Sequence, residues 1–236
     1  MIGFKSYPKR KGTYMAFEDN TINYIKDYIT NHIADWDWHK SEFDFISDTT
    51  LRDRLADEFI SARYIYKMLE GMKADGWLLQ AQIRIQILSF ASIYEAVIHH
   101  LLFEELKKRT EVIGLTEFST KKRISIPESK LEQLKSALEH DGKNIIPTYE
   151  GIGKTDVTKV RFDKKAECAF QLGLIEEWLK DELIEIYEAR NAIHIHAEIR
   201  KSLDYQLELS KNAYRRMRPF IDQIRHNLSS IAKENV

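Results

Sequence analysis

The chain has 236 residues, of which 43% are hydrophobic and 31% are charged, a composition that fits a globular protein with one sizeable core and excludes a disordered or fibrous chain. Its formal net charge is −1, which excludes a general electrostatic attraction to nucleic acid, so such a contact would need a local basic patch. The single cysteine, Cys168, excludes an intrachain disulfide and favours a reducing, cytoplasmic setting.

Three helices are predicted in the first half of the chain. Apolar residues spaced three and four apart predict helices over residues 19–34 and 50–73, the second with N-cap candidates at Ser47 to Thr49. The third, over residues 77–109, is apolar nearly all round and should be the central buried helix. The aromatic segment at residues 35–45 is expected to cap the core. Residues 1–75 are therefore interpreted as an N-terminal helical extension of a bundle formed by residues 76–236.

The second half begins with a predicted insertion at about residues 110–165. A short amphipathic helix is expected from Pro127 to His140, and β-branched residues around Gly151 and Gly153 are compatible with a small hairpin. Helices over residues 164–188 and 203–233 follow, and Pro219 is expected to kink the last one. The predicted fold class is an all-α helical bundle. No membrane span is expected, because charged and polar residues interrupt the most apolar run, at residues 83–103.

A polar cluster follows the predicted helix over residues 164–188 and consists of Arg190, Asn191, His194 and His196. The inward stripe of that helix, continued from Leu183 by steps of three and four, reaches Arg190. A guanidinium pointing into a core is costly unless it is paired. His194 would share its face, whereas His196, about 240° further round a continuous helix, would reach it only if the helix breaks. Asn191 could assist such a break.

The expected partner of Arg190 is Glu95. On the third helix, Ser92, Glu95 and His99 fall within a sector of about 60° and form a polar stripe that must be satisfied. The pair of Arg190 with Glu95 is open to two interpretations. It either belongs to a functional site or only fixes the register of two helices.

These segments, LSFASIYEAVIHHLL and LGLIEEWLKDELIEIYEARNAIHIH, resemble the HEPN superfamily of helical-bundle domains. The family motif is an arginine, a following polar residue and a histidine after four to six intervening residues, which Arg190, Asn191 and His196 match. A shorter form of the motif ends at His194, so both histidines remain candidates. Glu95 matches an acidic residue that many of these domains carry on an earlier helix. The resemblance covers about residues 77–109 and 164–233.

The resemblance implies metal-independent cleavage of single-stranded RNA, without a cofactor, by a homodimer in which both motifs line one cleft. It also implies a prokaryotic defence or toxin setting, with an antitoxin protein as a further partner. A neutral histidine can exchange the required protons, and an arginine can clamp the phosphate. The candidate RNA-binding residues are Arg200, Lys201 and Tyr187, and three arginines at 215, 216 and 218 could add to a basic surface. The alternatives are a non-catalytic module that binds RNA, a nucleotide or a protein, and a purely structural bundle.

Overall fold

A computed structural model describes residues 16–138, 141, 143, 145–192 and 207–233 of the chain. The elements in chain order are α1 (Asp19–Thr30), α2 (Trp36–Ser41), α3 (Thr49–Gly71), α4 (Gly76–His100), a π-helical turn (Leu101–Glu105), α5 (Thr110–Thr116), β1 (Glu117–Arg123), α6 (Glu128–Ala137), β2 (Thr148–Lys154), a 3-10 turn (Val157–Lys159), α7 (Phe162–Gln171), α8 (Glu177–Asn191), α9 (Leu207–Arg215) and α10 (Met217–Lys233). The fold is all-α apart from one small antiparallel sheet, as the sequence predicted.

Helix α4 is the centre of the bundle, as its apolar composition predicted. It packs against α3, α7, α8 and α9. Phe90, Tyr94 and Val97 are fully buried along it, and the Tyr94 hydroxyl donates a hydrogen bond to the Ala213 carbonyl at 2.6 Å. The helix Gly76–Glu105, with its π-helical turn, is long and apolar enough to cross a membrane, but 67% of its apolar window is buried inside the protein. Most of its apolar side chains therefore pack in the core of the protein.

The N-terminal segment contributes to the same core. Phe43 and Ile46, between α2 and α3, are fully buried in one cluster with residues of α4, α7 and α8. The burial of Phe43 confirms that the aromatic segment at residues 35–45 caps the core, although residues 36–41 of that segment form α2. The Asp48 carboxylate accepts hydrogen bonds from the backbone N–H groups of Thr50 and Leu51, so the predicted N-cap of α3 is also confirmed.

Two helices that were expected to be continuous are each divided in two. The predicted helix over residues 164–188 ends at Gln171, because Gly173 takes a left-handed φ of 74° and closes the end of α7. The Gly173 and Leu174 N–H groups donate to the carbonyls of Phe170 and Ala169. The last predicted helix breaks at Arg216, three residues before Pro219, whose ring nitrogen cannot donate to the carbonyl four residues earlier. The expected kink is therefore a break between α9 and α10.

The predicted insertion contains the hairpin that its β-branched residues allowed. β1 and β2 pair antiparallel from Glu117 opposite Lys154 to Arg123 opposite Thr148, and α6 lies between the strands in sequence. Helix α5 precedes the hairpin and was not predicted. Directly outside the hairpin, the Thr155 N–H donates to the Thr116 carbonyl at 2.9 Å. The segment that contains the hairpin therefore begins and ends at neighbouring residues, next to the end of α5.

Candidate functional site

The polar stripe of α4 faces a groove, as its spacing predicted. Ser92, Glu95 and His99 are all half-buried and line one cavity of about 550 Å³ together with Lys165 of α7. Ser92 is satisfied within its own helix, because its hydroxyl donates to the Leu88 carbonyl at 2.8 Å. Glu95 is thus the member of the stripe whose charge must be met by other helices.

Lys165 and Tyr187 meet that charge. The Lys165 Nζ lies 3.3 Å from Glu95 Oε1, and only 3% of the lysine side chain is exposed. The Tyr187 hydroxyl donates to Glu95 Oε2 at 3.0 Å. Burial and the negative charge of Glu95 raise the pKa of Tyr187, so the phenol stays protonated and keeps donating. Three helices, α4, α7 and α8, are therefore joined at this carboxylate.

Arg190 reaches the carboxylate through Tyr187 instead of pairing with it directly. Its Nη1 donates to the Tyr187 hydroxyl at 3.3 Å and to Asn191 Oδ1 at 3.0 Å. Its guanidinium carbon lies 5.1 Å from the centre of the Tyr187 ring. The expected direct pair of Arg190 and Glu95 is therefore wrong. Lys165 contacts the Glu95 carboxylate instead, and the Tyr187 hydroxyl bridges Arg190 and Glu95 by hydrogen bonds.

The position of Arg190 on α8 explains this arrangement. The buried face of the helix continues from Leu183 and Ile186 to Ala189, which is 5% exposed and packs against α4. Arg190, one residue further round, is half-buried at the rim. The expectation that Arg190 points into the core is therefore wrong, because the small side chain of Ala189 fills the core position. Helix α8 ends at Asn191, and His196, which would reach Arg190 only past a break in the helix, lies outside the described part of the chain.

A second cavity, of about 240 Å³, lies next to the first. Glu95, Tyr187 and Asn191 line it on one side, and residues 158–163 line it on the other. Glu95 and Thr158 belong to both cavities, so the carboxylate lies where the two meet. The end of the predicted insertion, which was placed outside the HEPN-like core, therefore forms one wall of the site.

The Tyr187 ring is packed on two sides. Phe162 stacks on it with ring centres 4.3 Å apart and planes 19° from parallel, and the Arg190 guanidinium lies over it as well. Stacking of Tyr187 on an RNA base would require one of these neighbours to move. In this arrangement the ring orients Arg190.

His99 has the environment of a neutral imidazole. Burial of the ring lowers the pKa of His99 from its usual 6.5, and the Lys165 ammonium lowers it further, while Glu95 acts in the opposite direction. Near pH 7 the ring is therefore uncharged beside the ion pair of Glu95 and Lys165. The described residues contain no group of three or more His, Cys, Asp or Glu side chains suited to a metal ion.

Four predicted site residues, His194, His196, Arg200 and Lys201, lie outside the described residues. The candidate basic surface on α9 and α10 is described, and each of its three arginines contacts a carboxylate. Arg215 pairs with Glu208, Arg216 with Glu182, and Arg218 with Glu42 and Asp222. The carboxylates offset the positive charge of these arginines, so this face of the protein is not a strongly basic surface.

Lys165 and Phe162 were missed at the sequence level. A signal for Lys165 existed, because it lies three residues after Phe162 and next to Ala166 on the inward face of α7. A lysine on an apolar helical face requires a partner, just as Arg190 does. The contact of Phe162 with Tyr187 joins residues 25 positions apart on different helices and has no local signal in the sequence.

Comparison with known proteins adds no identification. The chain matches no protein-family model, no curated protein and no solved structure.

Proposed function

We propose that the protein is a metal-independent endoribonuclease that cleaves single-stranded RNA, with Arg190 as the phosphate-binding residue. One observation carries the proposal. The guanidinium of Arg190 is held through Nη1 by Tyr187 and Asn191, two residues that line the smaller cavity, while its Nε and Nη2 have no hydrogen-bond partner among the described residues. An oriented guanidinium edge with two available donors suits the oxygens of a phosphate.

The resemblance to HEPN domains supplies the rest of the proposed reaction. One of His194 and His196 removes the proton from a ribose 2′-hydroxyl, and the 2′-oxygen attacks phosphorus. The bond to the 5′-oxygen breaks, and that oxygen takes a proton from a histidine. The products are a 2′,3′-cyclic phosphate and a free 5′-hydroxyl, and Arg190 stabilises the charge on the phosphate oxygens.

Glu95 has an indirect role in this scheme. It is separated from Arg190 by the Tyr187 hydroxyl, and its charge is balanced by Lys165. We therefore infer that Glu95, Tyr187 and Asn191 position the arginine. Arg200 and Lys201 are proposed to bind the RNA backbone.

The proposed assembly is a homodimer in which two copies of the motif face one cleft. An exposed apolar patch on α4 supports it, since the side chains of Ile85 and Leu88 are 37% and 45% exposed. Leu88 lies about 20° from Glu95 around the helix, so the patch adjoins the site. A dimer that covers this patch would bring the two sites together. An antitoxin protein that masks the same cleft is the second proposed partner.

The test is cleavage of an end-labelled single-stranded RNA in buffer that contains EDTA. We expect products with a cyclic phosphate end. Arg190→Ala should reduce the rate at least about 100-fold, as loss of a transition-state donor does. His196→Ala and His194→Ala, tested separately, identify the functional histidine. Arg54→Ala is the matched control, because that side chain is 70% exposed and lies on α3.

Two readouts separate a catalytic loss from misfolding. Each variant should keep the circular dichroism spectrum and melting temperature of the wild type. Tyr187→Phe keeps the ring that supports Arg190 but removes the hydroxyl relay, so it should lower the rate less than Arg190→Ala does. If wild-type protein binds the RNA without cutting it, the non-catalytic alternative replaces the nuclease. If Arg190→Ala and both histidine variants cut normally, the proposal is wrong.

A further inference from the structure

A separate cavity of about 420 Å³ lies between α3, α4 and α9, with His32, just after the end of α1, at one side. Its size is within the range of about 300–1,000 Å³ that small-molecule sites occupy. Gln86 and Phe90 of α4 line it, and both lie about 140–180° around that helix from Glu95. It shares no lining residue with the two cavities at Glu95. A ligand bound in this cavity would therefore lie apart from the proposed nuclease site.

Arg63 is the unusual residue of this cavity. It is half-buried, and in the described part of the chain it forms no ion pair with a carboxylate. Its Nη1 instead lies 3.0 Å from Nε2 of His39, and its guanidinium carbon is within 5.3–5.8 Å of the ring centres of Trp38, Phe59 and Tyr214. A half-buried guanidinium normally has an anionic partner. The cavity beside Arg63 is therefore a position in which an anionic group of a ligand could pair with it.

His39 holds Arg63 in this orientation as a neutral acceptor. The His39 Nδ1 lies 2.6 Å from the Asp35 carbonyl, which can only accept, so Nδ1 carries the proton. Nε2 is then unprotonated and accepts from Arg63. Burial lowers the pKa of His39 below 6.5, and the charge of Arg63 lowers it further, which keeps the ring neutral. The arginine is thus positioned by a partner that does not cancel its charge.

The whole lining is positively charged. Arg63, Lys67, Lys211 and Arg215 contribute four positive charges and Glu70 one negative charge, which leaves a formal +3 with His32 neutral. The chain as a whole carries −1. Lys67 pairs with Glu70 at 2.6 Å, and Glu208, which lies outside the lining, pairs with Arg215 and lies 3.9 Å from the Lys211 ammonium. With Glu208 included the balance is +2, and among the described residues Arg63 is the lining cation without a carboxylate partner.

The cavity also has the surfaces that a flat ring requires. Tyr66, Phe90 and Tyr214 line it, with the Phe90 and Tyr214 ring centres 5.8 Å apart. The side chain of Gln86, which is only 2% exposed, donates from Nε2 to the Ala62 carbonyl at 2.9 Å. No described residue donates to its Oε1, so the cavity wall offers an acceptor beside its aromatic and cationic groups.

From these features we infer that this cavity binds a small molecule in which a flat ring carries an anionic phosphate or carboxylate group. The anion contacts Arg63, with Lys211 and Arg215 contributing attraction at the rim. The ring packs against Tyr66 and Tyr214, and Gln86 Oε1 accepts a hydrogen bond where the ligand carries a donor. Neither an uncharged ring nor a free anion uses both halves of this site.

The test is ligand-observed NMR titration of the full chain with four probes, supported by thermal melts. The probes are phenyl phosphate, benzoate, benzyl alcohol and inorganic phosphate. We expect at least one of the two ring anions to bind and to raise the melting temperature as its concentration rises. Benzyl alcohol and inorganic phosphate should bind at least about tenfold more weakly, because each lacks one half of the recognised chemistry. The tighter of the two ring anions identifies the acidic group as phosphate or carboxylate.

Variants connect the binding to this cavity. Lys211→Gln and Arg215→Gln should each weaken binding about three- to tenfold, and Arg63→Gln more strongly. Lys26→Gln is the control, because Lys26 is exposed on α1 outside the lining and should have no effect. If Arg63→Gln does not fold, the two rim variants still decide the question. Binding of neither ring anion, equal binding of benzyl alcohol or inorganic phosphate, or unchanged affinity in both rim variants would overturn the inference.

Discussion

Replacement of Lys165 by methionine should destabilise the protein and should do so through Glu95. The substitution keeps the aliphatic volume of a side chain that is 3% exposed but removes the ammonium 3.3 Å from the Glu95 carboxylate. Breaking a fully buried ion pair costs about 3–5 kcal/mol. The Glu95 side chain is 28% exposed and keeps the hydrogen bond from Tyr187, so we expect a loss of about 2 kcal/mol.

The measurement is urea unfolding followed by circular dichroism, with a parallel thermal melt. A loss of this size corresponds to a fall in melting temperature of about 4–8 °C for a chain of this length. Glu95→Gln alone should also destabilise, because it leaves a buried ammonium without a carboxylate. The double variant should be more stable than the sum of the two losses implies, by at least about 1 kcal/mol.

A surface pair provides the matched control. Lys107 and Glu104 lie 3.8 Å apart with more than 60% of each side chain exposed, so Lys107→Met and Glu104→Gln should match the wild type within error. Additive losses for Lys165→Met and Glu95→Gln, within about 0.5 kcal/mol, would refute the idea that this ion pair joins α4 to α7.

Three further predictions concern other parts of the chain. Gly173→Ala should destabilise by about 1–2 kcal/mol in urea unfolding, because φ is 74° there. Gly114→Ala in α5, where an added Cβ meets no other group within 4 Å, should be neutral or stabilising by up to about 1 kcal/mol. Equal effects of the two substitutions would contradict the left-handed cap. Burial raises the pKa of Cys168 to about 11 from 9.0, so at pH 8 its thiolate fraction is about 100-fold lower than that of a free thiol, and a chromogenic disulfide should label it slowly unless urea is present. The pKa of His39 is lowered by burial and by Arg63, so below pH 6.5 the unfolded chain binds more protons than the folded protein does. The contribution of His39 to the free energy of unfolding should therefore be full above pH 6.5 and should fall as the pH drops toward the lowered pKa, by at most about 1.4 kcal/mol per pH unit. An unchanged slope in His39→Gln would contradict this assignment.

The spacing of apolar residues predicted helices well where a helix packs a continuous apolar face against the core. In the last predicted helix, Ala213, Phe220 and Ile231 recur at helical spacing and are buried, and α4 is central because apolar residues surround it. The helix breaks were harder to predict. Gly173 lies in a continuous apolar pattern, and only its left-handed backbone shows that the chain turns there. A period of 3.6 residues continues unchanged through such a turn, so periodicity alone does not reveal it.

The candidate site was predicted by residue type more successfully than by contact. The spacing of Ser92, Glu95 and His99 placed them correctly on one face, and the need of Glu95 for a partner was real. The choice of partner was wrong, because two cations on different helices competed for one carboxylate. Which of them contacts it depends on the angle between α7 and α8, and that angle is set by packing that leaves no local pattern in the sequence.

The hydrogen bond between Thr155 and Thr116 has a consequence for how this chain tolerates change. The segment from β1 to β2 leaves the helical body and returns to it at neighbouring points. Lengthening or shortening that segment alters only the entropy of closing one loop, which grows slowly with loop length. Homologous chains could therefore differ greatly in size between these two threonines and still superimpose on every helix outside them.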